Sequence, residues 1–196
     1  MIILGQYYRP ILGDKYGLNG RVFDRSVDGQ YTLAKLMEHS WWLNPFVNAF
    51  SEFLYKEAGR VIWGGDYGNE PEDFHFPNCS AFYVPCYRTI WGDGVILESV
   101  SSSDFTLDNK FLINHDTKEY INLNEYKRAS IDKDGWTIHP LPLLTAVGND
   151  RGGGDFYDGN TGYENVGIWA WHLISIDDKP PKNFSKFTLV FKEDAR

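Results

Sequence analysis

The stretch NDRGGGDFYDGNTGYEN, residues 149–165, gathers three consecutive glycines, four carboxylates and one arginine. Gly152, Gly153 and Gly154 permit positive φ and leave backbone amides uncovered, which is how anion-binding nests are built. Arg151 would assist such a nest. Asp150, Asp155, Asp158 and Glu164 oppose it, because four negative charges against one positive repel a bare phosphate. A cation, or a phosphate arriving with one, suits the segment better, with Asp155 and Asp158 as candidate ligands of a divalent ion. Three readings stay open: a cation site, a metal-free ligand contact and a solvated connection. DFYDGNTGYE lacks the D-x-[DN]-x-[DN]-G spacing of a calcium loop, and no G-K-[ST] follows the glycines to make a P-loop.

A second junction of glycine and acid is WGGDYGNEPED, in which Trp63 leads through Gly64 and Gly65 to Asp66. Strand ends that stop in this way are common places for ligand contacts and equally for plain turns. The histidines are His39, His75, His115, His139 and His172, and no two stand at H-x-x-x-H or H-E-x-x-H spacing. His39 follows Glu38, so the two form an acid–base pair only if the fold turns both inward. Catalysis would then take the form of a cation-dependent hydrolase or transferase of a nucleotide-like substrate, with Asp66 and Asp155 around the ion and His39 moving the proton. No G-x-S-x-G elbow and no dinucleotide fingerprint supports an enzyme. Cys79 and Cys86, flanked by Pro77 and Pro85, match neither a C-x-x-C pair nor a zinc pattern. EHSWWLN and GIWAWHL offer indoles instead. On a strand, Trp169 and Trp171 would share one face and floor a ring-binding pocket, with Ile168, Ala170 and His172 on the other.

The elements that must position these residues are unevenly legible. NPFVNAFSEFLYKEAG carries the clearest signal: Asn44 as cap, Pro45 in the first turn, and Phe46, Val47, Phe50, Phe53 and Leu54 on one face, with Gly59 closing the helix. A short helix is expected within YTLAKLMEHSWWL and one helical turn in NEYKRAS. Strands are expected at IILGQYY, ended by Pro10 and Gly13, and at RVFD and RVIWGGD. FLINHDTKEYINL reads as a hairpin turning at His115–Lys118. VGIWAWHLISI and FTLVFKE read as two further strands, ESVSSSDFTLDN as a connection, and IHPLPLLTAVG as an apolar run constrained by prolines. Strands outnumber helices without alternating with them, so the fold class is α+β: one domain over residues 1–196, a mixed or antiparallel sheet with a few packed helices.

Composition narrows the partners. With 27 acidic against 19 basic residues, net charge −8, and no lysine–arginine stripe, the chain is a poor candidate for non-specific nucleic-acid binding. No run approaches the ~18 apolar residues of a membrane helix. MIILGQYYRP has neither a basic lead nor a cleavage motif, so a cytoplasmic location is expected.

Taken in order, GQYYRP, KLMEHSW with NPFVNAF, RVIWGGDYG, FLINHDTKEYINLNEY, HPLPLLTAVGNDRGGGDFY and VGIWAWHLISID resemble a widespread set of small proteins of bacteria, phages and plasmids. Those proteins open with Met-Gly-Gln-Tyr-Tyr, where this chain has MIIL before Gly5, and they carry no assigned activity. The resemblance spans nearly the whole chain. It implies one domain and a mobile-element setting, hence a counter-defence role, in the host cytoplasm if phage-encoded. The residues it carries over are Gln6, Tyr7, His39, Trp63, Asp66, Arg151, Gly153, Asp155, Trp169 and Trp171. The expected function is a non-catalytic binding protein that takes a small ligand or a host protein through its glycine-rich acidic loops and tryptophans. The alternatives are the hydrolase above and an inhibitor of a host defence complex that uses its acidic surface without a pocket.

Overall fold

The computed structural model describes residues 7–16, 20–31, 35–42, 44–66, 96–129, 137–148 and 165–189. The described residues form an α+β domain built on one mixed sheet. Its strands are β1 (Tyr8–Gly13), β2 (Gly20–Val27), β3 (Gln30–Tyr31), β4 (Gly59–Gly65), β5 (Leu97–Val100), β6 (Phe111–Asn114), β7 (Glu119–Asn122), β8 (Ala146–Val147), β9 (Leu173–Asp177) and β10 (Ser185–Lys186). The helices are α1 (Leu36–His39), α2 (Pro45–Lys56), α3 (Leu123–Ala129) and α4 (Pro140–Leu144). The strand order is β10-β7-β6-β9-β4-β1-β2-β3, with β5 added on β2 and β8 on β4.

β4 is the hub. One edge pairs with β1 from Arg60 to Gly65, and the other is shared between β9 at Gly59 and Arg60 and β8 at Trp63 and Gly64. A strand enclosed in this way reads as a near-continuous apolar run, which Val61-Ile62-Trp63 is. Alternation sends Val61 and Trp63 to the larger cluster under α2, and Ile62 to a smaller cluster with Ile11, Val22, Val147, Ala170 and Trp171 on the opposite face.

α2 forms where its signals place it. The Asn44 side chain accepts from the amides of Phe46 and Val47, Pro45 occupies the first turn, and Phe46, Val47, Phe50 and Leu54 are buried. Each such side chain contributes about 1.5–3 kcal/mol by leaving water. The rings of Phe23 and Phe50 meet edge to face at 5.2 Å, and those of Phe50 and Trp63 at 5.0 Å. The helix ends at Lys56, before Gly59, which opens β4 instead. The side chain of Leu12 and the carbonyl of Gly13 fill the space where a Cβ on Gly59 would go.

The hairpin β6–β7 is present with its turn at His115–Lys118. Other expectations shift. β1 runs through Pro10, which sits opposite Trp63. The Trp63 amide points away from β1, to the carbonyl of Thr145, so the ring nitrogen of Pro10 faces the β2 side. There the ladder begins only at Ile11, and no bond is lost. The helix expected in YTLAKLMEHSWWL is a single turn, α1. The connection ESVSSSDFTLDN starts as β5, and FTLVFKE is preceded by β10 rather than forming a strand at Phe187–Leu189.

Asn44→Ala removes an acceptor for two amides and also a donor to the Glu38 carbonyl. Urea unfolding should show a loss of about 1–2 kcal/mol, with Asn44→Asp, which keeps only the acceptor, falling between the variant and the parent.

Candidate functional site

Of the residues singled out in the sequence, Tyr7 and Asp66 meet. The Tyr7 amide donates to Asp66 Oδ1 at 2.9 Å, and the Asp66 amide donates to the Tyr7 carbonyl at 2.9 Å. This exchange extends the β1–β4 ladder one step past Tyr8 and Gly65. Burial raises the Asp66 pKa above the ordinary carboxylate value, against the lowering effects of the Tyr7 amide, Arg25 and Arg9. The Tyr7 ring lies under the Arg25 guanidinium at 5.3 Å, and the residue is 44% exposed. A carboxylate, two arginines and a phenol therefore share one end of the sheet.

The three tryptophans singled out as ligand contacts, Trp63, Trp169 and Trp171, do not line a surface. Trp63, Trp169 and Trp171 are 0, 1 and 2% exposed. The Trp63 indole N–H donates to His39 Nδ1 at 2.8 Å, and His39 is itself fully buried. An indole nitrogen can only donate, so that ring nitrogen of His39 carries its lone pair. Glu38 turns to the Lys35 amide, capping α1. His39 thus serves as the acceptor for a core indole, which removes it as a surface acid–base group.

Trp169 and Trp171 also fail to share a strand face, because residues 165–171 form turns and β9 starts only at Leu173. Gly167 has φ +74°, and the Ala146 carbonyl occupies the space a Cβ there would need. Trp171 holds φ +61°, an outlier for a bulky residue. These turns send the indoles to opposite sides of the sheet: Trp169 joins the larger cluster beside Phe187, and Trp171 lies over Gly13 in the smaller one. Gln6, Arg151, Gly153, Asp155 and Asp158 lie outside the described residues, as do Cys79 and Cys86. Among the described residues no three His, Cys, Asp or Glu side chains group as metal ligands.

A concavity that the sequence reading did not assemble opens between the start of α2 and residues 101–108. Its volume is about 310 Å³, and its walls include Trp42, Asn48, Ser102, Phe105, Asp108 and Lys127. Lys127 Nζ stands 5.6 Å over the Trp42 ring and 3.7 Å from Asp108 Oδ1. That separation is longer than a charge-assisted hydrogen bond, so both heads retain capacity toward a ligand. Behind Trp42 the ring of His139 stacks at 5.3 Å and 30°, fixing the indole. Trp42 belongs to EHSWWLN, whose aromatic content was legible. Its partners come from three distant segments, and no local periodicity links them.

His139 is fully buried. Its Nδ1 accepts from the Leu141 amide at 3.1 Å at the start of α4, and desolvation pushes its pKa down to about 3. On the other side of β4, Arg60 donates to Asp116 Oδ2 and to the Trp171 carbonyl, each at 2.9 Å. His172 and Asn114 pair at 2.8 Å, and His115 and Ser175 also at 2.8 Å. No family model, curated protein or solved structure matches the chain.

Two outcomes test this account. Trp63→Phe leaves His39 Nδ1 without its donor and should cost about 1–3 kcal/mol in urea unfolding. For His139 the folded pKa lies below the unfolded value of 6.5, so its stabilisation is complete above about pH 6.5 and declines as pH falls toward 3. His139→Asn can cap the Leu141 amide but takes no proton. Between about pH 6.5 and pH 4.5 the parent should lose roughly 2 kcal/mol more than this variant.

Proposed function

We propose that this chain is a non-catalytic binding protein that holds a small ligand in the cleft between α2 and residues 101–108. One observation carries the reading: Trp42, Lys127 and Asp108 come from separate segments to flank a single concavity of about 310 Å³. An indole held from behind offers a rigid apolar wall, and hydroxyls and an amide around it offer polar contacts. Lys127 and Asp108 side by side favour a ligand with an anionic group next to a hydrogen-bond donor or positive group. The Tyr7–Asp66 corner is a second polar surface at the end of β4. Asp155, Asp158 and Gly153 belong to the proposal only as sequence candidates for contact with a cation or ligand.

The finer reading, a phage- or plasmid-borne protein acting against a host defence complex in the host cytoplasm, rests on the order of motifs shared with the Met-Gly-Gln-Tyr-Tyr proteins. No helix among the described residues is long and apolar enough to cross a membrane.

Thermal-shift screening against nucleotides, cyclic nucleotides, zwitterionic amino acids and divalent cations tests the proposal. A ligand of this cleft should raise the melting temperature of the parent and lose at least about tenfold in affinity in Lys127→Ala and Asp108→Asn, a change of about 1.4 kcal/mol. No shift with any of these compounds, together with recovery of a host protein in a pull-down, would transfer the function to a protein partner. An equal shift in the parent and both variants would place the ligand elsewhere.

A further inference from the structure

Val166, Trp169 and Trp171 anchor the segment 165–172 by burial, and at its end a set of polar contacts around His172 joins residues 171–173 to β4 and the β6–β7 turn. Asn114 sits at the end of β6 and is fully buried. Its side-chain oxygen accepts from the amides of Asp116 at 3.0 Å and Thr117 at 3.2 Å. Backbone amides can only donate, which fixes the orientation of the Asn114 amide. Its nitrogen is therefore the atom facing His172 Nδ1 at 2.8 Å, and that nitrogen donates. Hence Nδ1 carries a lone pair, and the neutral ring has its proton on Nε2. A proton on Nδ1 would set donor against donor in a half-buried position.

The segment that this bond secures is under strain. Trp171 is held at φ +61° while its amide bonds the Val61 carbonyl at 2.6 Å and its carbonyl accepts from Arg60. Non-glycine residues stay in that region only where their surroundings overdetermine it. The same Arg60 binds Asp116, whose carboxylate also receives the Leu173 amide at 3.4 Å. The His172 carbonyl accepts from Val61. One ring thus adjoins a strained turn, the β6–β7 turn and the edge of β4.

We propose that His172 is the trigger of an acid-responsive latch, in which protonation of its ring breaks the Asn114 contact and loosens residues 171–173 against β4 and the β6–β7 turn, while the buried side chains of Val166 and Trp169 keep the rest of the segment in place. The charged groups facing the ring are Arg60 on β4, Asp116 in the turn and Glu119 on β7. Burial lowers the pKa of the ring most, Asp116 and Glu119 raise it, and Arg60 lowers it. His115 lies next to this network, bonded to Ser175 and packed on Phe184. A cation on His172 therefore meets the Arg60 guanidinium with its own anchor lost. A folded pKa below 6.5 means that the latch is closed above that pH and weakens as pH falls through the folded value.

Hydrogen exchange of the full-length chain at about pH 7.5 and about pH 5.5, corrected for intrinsic rates, reads the latch directly. Amides at 171–173 of the parent should lose about tenfold in protection at the lower pH relative to the same amides in His172→Asn. His172→Asn keeps an acceptor where Nδ1 stood but takes no proton, so it shows only the acid loss that His139 and His115 impose. The same loss in His172→Asn, no loss in the parent, or increased protection in acid overturns the proposal. Nitrogen chemical shifts of the parent ring give a reading independent of any variant. The Nε2–H tautomer at about pH 7.5 is required, and the Nδ1–H tautomer overturns the latch.

Discussion

An indole N–H placed where water cannot reach must find an acceptor inside the protein, and the rest of this fold is arranged around that requirement at Trp63. The acceptor is His39, carried by a helix of one turn. The bond therefore ties the short segment before α2 to the middle of β4. Once Trp63 is fixed, Phe46 and Phe50 pack against it and Phe23 packs against Phe50, so α2 is oriented over the sheet by ring contacts. A residue that looks catalytic in the sequence is thereby committed to the interior. A lone histidine on an apolar face more often completes a core than acts on a substrate, and the reason is visible here.

The two faces of the sheet are unequal. Under α2 lies a large aromatic core. The opposite face has a small apolar cluster beside the Arg60–Asp116 ion pair. Polar groups at this border are satisfied by backbone atoms of neighbouring segments, which makes them joints between elements. The cleft at Trp42 lies at another border, where α2, α3 and the 101–108 segment meet. The candidate site and the candidate latch are thus built from the same material, polar side chains at seams between packed elements.

Sequence legibility followed the range of the interaction. α2 was readable because its cap, proline and apolar spacing all lie within one stretch of chain, and the β6–β7 hairpin because alternation and turn are contiguous. β4 was readable as an apolar run ending in glycines. The strand expected over VGIWAWHLISI was misplaced for a physical reason. Gly167 and Trp171 both adopt positive φ, and a tryptophan in that conformation gives no local signal, since its bonds to the distant Val61 and Arg60 and its burial help keep it there. Pro10 misled in the opposite sense, because its tolerance depends on where the β2 ladder stops. Within the candidate site, Asp66 could be nominated from its glycine–acid junction and Tyr7 through the resemblance carried by GQYYRP, but their pairing depends on the register of β1 with β4. The cleft residues Lys127 and Asp108 carried no signal, because α3 and the 101–108 segment acquire a common wall only through long-range packing.

The place of β9 in the sheet has a consequence for how the chain assembles. The half made of β10, β7 and β6 and the half made of β4, β1 and β2 are joined through β9, which pairs Arg60 and Gly59 on one side and the whole of β6 on the other. A ribosome releases β9 after both of the strands it bridges. The β6–β7 hairpin and β4 must then wait with an open edge, and closure is a late event governed by contacts distant in sequence, the arrangement that slows folding and exposes strand edges to foreign pairing. Synthesis speed and chaperone capture are therefore expected to bear on the yield of this protein more than its helices do.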